Sequence, residues 1–91
     1  MNPVRPPWFY IYVLKSEADS RLYTGATNDL RKRIEEHNEG LVTSTKHRQP
    51  LKLIYFEACL NKDDAYRRER YLKTGMGKRY LRNRIQEGLT G

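Results

Sequence analysis

The sequence holds one cysteine, Cys59, in 91 residues, so no internal disulfide can staple it. No cysteine–histidine cluster offers the spacing of a zinc site. Nothing approaches the roughly 18 consecutive apolar residues that a membrane span needs. The first residues, "MNPVRPPWFYIY", carry one arginine but no long apolar stretch, so no signal peptide is expected. Repeats and low-complexity tracts are missing as well. These absences point to one domain over 1–91, with its core at about 8–85, in a reducing cytoplasm. Acidic residues are also in short supply: 11 against 18 basic ones give a net charge of +7. Such a balance attracts polyanions, with nucleic acid first among them.

Pro3, Pro6 and Pro7 keep the first residues irregular. "WFYIYVL" over 8–14 is aromatic and β-branched on both alternating faces, the pattern of a central strand covered on each side. After the polar turn "KSEADS", "RLYTG" over 21–25 reads as a second strand. Pairing Leu14 with Arg21 in an antiparallel hairpin also pairs Tyr12 with Tyr23 on one face. A slip of one residue would separate the two hydroxyls.

Thr27 is the expected cap of a helix running to about Asn38, with Leu30, Ile34 and His37 on one stripe and Arg33 along its edge. Arg31 and Glu35 fall on the solvent side as an i,i+4 pair. A polar connection, "EGLVTSTKHRQP", leads to a third strand over 51–58. Asn61 caps the next helix, with Asp63 and Asp64 in its first turn. There Ala65, Leu72 and Met76 share a face with Glu69, and Gly75 and Gly77 break the helix. A basic helix follows and is stopped by Gly88.

Glu69 is the most informative residue, because a carboxylate on an apolar face costs several kcal/mol unless it is paired or metal-bound. It serves either as an ion pair with Arg68 or Arg33, or as a hard oxygen ligand for Mg²⁺. Arg33 and His37 lie one helical turn apart: an anion clamp and a proton shuttle, or a solvated arginine beside a packed histidine. Tyr12 and Tyr23 suit any strand. Together the five supply a metal ligand, an anion clamp and a proton acceptor, the needs of single-metal phosphodiester hydrolysis. From Tyr66 to Arg84, Arg67, Arg68, Arg70, Lys73, Lys78 and Arg79 alternate with tyrosines, as on a nucleic-acid surface.

These residues resemble the GIY-YIG nuclease domain of homing endonucleases and of the incision subunit of bacterial nucleotide-excision repair. "YIY" at 10–12 and "YTG" at 23–25 take the places of the two signature tripeptides. Tyr10 stands where the first has glycine, and Thr24 where the second has isoleucine. The family's catalytic arginine, eight residues beyond the second glycine, falls on Arg33, and the homing branch's histidine falls on His37. The metal-binding glutamate of the helix after the third strand corresponds to Glu69 in "RRER", and a downstream asparagine to Asn83. The resemblance runs from about Trp8 to Ile85 and is greatest to the small standalone members.

It implies an α+β fold, a small three-stranded antiparallel β-sheet flanked by helices. It also implies an endonuclease dependent on Mg²⁺ or Mn²⁺ that hydrolyses DNA phosphodiester bonds, in repair or recombination. Tyr12, helped by His37 or Tyr23, would take the proton of the attacking water, which requires its pKa to fall below the free value of about 10 or a partner to share the proton. Gly25 would let the chain turn closely into the arginine helix. The alternative is a nucleic-acid-binding module that keeps the fold without turnover. RNA as substrate and a partner protein stay open.

Overall fold

The computed structural model describes residues 7–87. The elements run β1 (Phe9–Ser16), β2 (Leu22–Thr27), α1 (Leu30–Asn38), β3 (Leu51–Cys59), α2 (Lys62–Leu72) and α3 (Gly75–Arg84). The three strands form one antiparallel sheet in the order β2-β1-β3, so the α+β architecture is as expected. The apolar run of β1 suits its central place: Ile11, Tyr12, Val13 and Leu14 are all buried. Ile11 and Val13 pack with Ala65 of α2 and Leu81 of α3 on one face. Tyr12 and Leu14 pack with Leu30 and Ile34 of α1 on the other. Burying such side chains fully stabilises the fold by about 1.5–3 kcal/mol each.

The hairpin register differs from the expected one by two residues. Leu14 pairs with Tyr23, and Tyr12 with Gly25. β1 runs on to Ser16, whose N–H donates to the Arg21 carbonyl at 2.9 Å. The Ser16 hydroxyl closes the turn, accepting from the N–H groups of Ala18 and Asp19 and donating to the Arg48 carbonyl at 2.6 Å. A two-residue shift preserves the alternation of faces, so Tyr12 and Tyr23 remain on the same side as diagonal neighbours. Against β3, a bulge between Val13 and Leu14 skips Ile54, so Ile54 and Tyr55 both face α2 and α3.

Asp29, not Thr27, caps α1, accepting from Lys32 N–H at 3.2 Å, while the Thr27 hydroxyl accepts from Asp29 N–H. The shorter loop lets aspartate reach the first free amides and complement the helix dipole. Gly40, at φ 77°, ends the helix, with Leu41 N–H on the Glu36 carbonyl and Gly40 N–H on the His37 carbonyl. Asn61 caps α2 as expected. Thr74 then caps a new helix that includes Gly75 and Gly77, so Met76 leaves the α2 stripe and is exposed. α3 ends at Arg84; the stop expected at Gly88, like Pro3 and Pro6, lies outside the described residues.

Candidate active site

β2 is an edge strand; α2 packs against it, and Tyr23 on it meets His37 of α1, so the site is built around this edge. From β1, Tyr12 crosses its neighbour Gly25. A Cβ at Gly25 would lie 2.6 Å from Tyr12 Cζ, so the signature glycine makes room for the phenol. That replaces the expected role of easing a turn, since Gly25 is inside the strand.

The Tyr12 hydroxyl meets His37 Nε2 at 2.8 Å, and His37 Nδ1 meets Thr45 Oγ1 at 2.7 Å. All three side chains are buried. Tyr23 completes the group, with its ring centroid 4.9 Å from that of His37 and 6.3 Å from that of Tyr12. Thr45 was missed in the sequence. It lies in the polar connection, folded back over α1 by the turn at Gly40, and nothing in its spacing marks it.

Burial pushes the Tyr12 phenol up to about 12, outweighing the Arg33 guanidinium that favours the phenolate. The direction is therefore opposite to the fall that a tyrosine base alone would need. Burial, joined by the charge of Arg33, lowers His37 to about 4, so its ring is neutral near pH 7. Arg33 has only N–H donors to offer, so we assign the Tyr12 proton to the bond with Nε2. The remaining imidazole proton then sits on Nδ1 and donates to Thr45.

Arg33 pairs with Glu36 at 3.1 Å, whereas Arg31 and Glu35 form no ion pair with each other. The i,i+3 spacing of Arg33 and Glu36 was visible in the sequence, but Arg31–Glu35 competed with it. Both members of the Arg33 pair line a cleft of about 430 Å³, with Lys32, Lys62 and Tyr66.

Glu69 projects from α2 with its side chain 16% exposed. Its partner is Lys73 at 2.8 Å rather than Arg68 or Arg33. Its charge acts on Tyr12, reinforcing the neutral phenol. Among the described residues, no three His, Cys, Asp or Glu side chains gather as a metal cage. A single inward carboxylate suits a hard divalent cation that draws its other ligands from water and a phosphate.

The structure thus brings Tyr12, Tyr23, Arg33 and His37 together, with Glu69 within electrostatic reach. Asn83 is elsewhere, exposed on α3 beside Ile54 of β3, the opposite edge strand. Of the basic residues, Arg67 pairs with Asp64, and Arg70 and Arg79 are exposed. Lys73 and Lys78 line a groove beside β2. Arg68 is held within the fold, making bonds of 2.8 and 2.9 Å to the Glu57 carboxylate.

A hairpin of tyrosines, an arginine helix, a third strand and a glutamate helix, in that order, make up a small nuclease-type domain. The model of the GIY-YIG catalytic domain matches residues 8–86. A UPF0213 protein of Clostridium perfringens is 51% identical over 65 residues, covering 70% of this chain and 69% of that protein. A UPF0213 protein of Staphylococcus saprophyticus is 41% identical over 80 residues, covering 87% and 95%. The solution NMR structure of a UPF0213 protein from Bacillus halodurans superposes with a TM-score of 0.51 at 32% identity, covering 81% of each chain. The chain belongs to the GIY-YIG family, a family of nucleases. Among the described residues no helix is long and apolar enough to cross a membrane.

Proposed function

We propose that this protein is a divalent-metal-dependent endonuclease that hydrolyses phosphodiester bonds in DNA. The observation that carries the reading is the buried Tyr12–His37 hydrogen bond, set beside Arg33 and within the field of Glu69. Glu69 would hold Mg²⁺ or Mn²⁺, which supplies Lewis-acid stabilisation of charge on the phosphate. Arg33 faces the developing negative charge and offers paired N–H donors to it.

The proton of the attacking water passes to the Tyr12 oxygen as the phenol proton moves to His37 Nε2. A neutral phenol pushed up to about 12 is no base, but the neutral imidazole behind it is an acceptor. Arg33 helps to hold His37 down at about 4 in the free protein. A phosphate drawn onto Arg33 offsets that charge and raises the basicity of the histidine when substrate is present. Thr45 fixes the ring so that Nε2 faces the phenol.

The test is a panel of plasmid, flap and branched DNA incubated with Mg²⁺ or Mn²⁺. The wild type is expected to cut, and Glu69→Ala and Arg33→Ala to abolish or nearly abolish cutting. Cleavage that survives both substitutions would contradict the reading. Salt-sensitive binding without any cleavage would replace it with a binding module.

A further inference from the structure

A second depression, of about 570 Å³, runs along the other side of β2, between that strand and the corner where α2 meets α3. Its rim carries four cations, Arg21, Lys73, Lys78 and Arg82, and no carboxylate lines it. Elsewhere four arginines have acidic partners, Arg33 with Glu36, Arg48 with Asp19, Arg67 with Asp64 and Arg68 with Glu57, whereas Arg31, Arg70, Arg79 and Arg84 form no ion pair among the described residues. In this groove only Lys73 has an acidic partner among the described residues, and that partner is Glu69. The floor is apolar, with the half-buried Leu22 lying over the buried Leu72 and Leu81. The cleft on the α1 side differs, mixing Lys32, Arg33 and Lys62 with Asp29 and Glu36.

We propose that this groove is a subsite for one unpaired nucleotide of the DNA strand being cut. A paired duplex offers phosphates and groove edges but hides the faces of its bases, so it has use for the cations and none for the floor. A nucleotide whose base is splayed out presents both a phosphate and an apolar face, and matches both. The position fits cutting next to that nucleotide. Tyr23 lines the groove and also packs on His37, while Lys73 joins the groove to Glu69. The substrate class is then a strand with an unpaired stretch, such as a flap or gap, rather than an unbroken duplex.

The inference rests on the nuclease reading, but its test does not need cleavage. Binding is measured in EDTA by fluorescence anisotropy at fixed salt. The probes are an eight-nucleotide oligothymidylate, an abasic chain of the same length and charge, and a short perfect duplex. The thymidylate is expected to bind the wild type at least fivefold more tightly than the abasic chain, because only it carries a base to cover the leucine floor. Lys78→Ala/Arg82→Ala, which removes two exposed side chains, is expected to weaken thymidylate binding at least tenfold and duplex binding less than threefold. Equal binding of thymidylate and abasic chains would overturn the subsite, because the groove would then hold phosphates alone. An equal loss for single strand and duplex would overturn it as well. Base-dependent binding by a protein that cuts nothing would keep the groove and remove the nuclease reading, and cleavage with base-independent binding would do the reverse.

Discussion

The two faces of the sheet each carry a tyrosine-centred polar cluster, and the clusters are built on opposite plans. On the α2–α3 face, Arg68 grips both oxygens of Glu57, Tyr55 donates to the same carboxylate at 2.6 Å, and the Tyr80 ring lies 4.7 Å from the guanidinium carbon. Arg68 holds the Glu57 carboxyl below its ordinary value, and burial with Glu57 pushes the Tyr55 phenol above the usual range. Charge there is matched inside the fold. On the α1 face, Tyr12, His37 and Thr45 form a chain without formal charge, and the arginine beside it is half exposed. A matched ion pair ties three elements together and leaves nothing to offer a ligand. A neutral chain can pass a proton, because neither end is fixed by a counter-charge.

The two faces differ most visibly at their arginines. Arg33→Ala is expected to lower cleavage by about 10²–10³-fold, the range seen when one donor to a developing oxyanion is removed. Its melting temperature should stay within a few degrees of wild type, because a partly solvated i,i+3 pair contributes about 1 kcal/mol or less. Cleavage assays and calorimetry on the same preparation check both halves.

The pH dependence of stability separates the two faces in another way. His37 titrates at about 4 in the fold and near 6.5 when unfolded. Between those values the unfolded chain binds more protons, so stability rises with pH across that window and is lost as pH falls from 6.5 toward 4. The loss amounts to about 3 kcal/mol. Denaturant titrations from pH 7 to pH 4 should show it, and His37→Gln should flatten the slope. Glu57 adds a separate loss lower down, because its depressed carboxyl stabilises the fold only above its unfolded value and gives that up as pH falls through the folded one.

Glu57→Gln leaves Arg68 charged and half matched. It is expected to reduce stability by about 1–3 kcal/mol, below the range for a fully buried pair because both side chains keep some solvent contact. Cleavage per folded molecule should change less than threefold. Thr45→Val removes one buried hydrogen bond, worth about 1–2 kcal/mol. It is expected to slow cleavage about tenfold, with recovery in Thr45→Ser.

The sequence made the elements legible because their signals are local. The stripe of Leu30, Ile34 and His37 has the helical period, and the apolar run of β1 fits a strand covered on both faces. The hairpin register was not legible, because Ser16 sets it by closing the turn with its hydroxyl and reaching Arg48, more than thirty residues away. The membership of the site was largely readable from spacing, and its electrostatics were not. The resemblance asked for a lowered phenol or a partner to share its proton, but burial decides the sign, and the phenol is buried against His37, which Thr45 holds from a loop whose spacing marks nothing. Arg68 and Glu69 are adjacent in the chain and face different partners, a distinction that only the packed helix makes.

Removing one hydroxyl from each face tests the account most directly, with Tyr12→Phe and Tyr55→Phe assayed side by side for metal-dependent DNA cleavage and for melting temperature. Tyr12→Phe is expected to cut about 10²–10⁴-fold more slowly and, like Thr45→Val, to lose about 1–2 kcal/mol of stability with its buried hydrogen bond to His37. Tyr55→Phe is expected to melt lower while cutting within threefold of wild type. Wild-type cleavage by Tyr12→Phe would contradict the account.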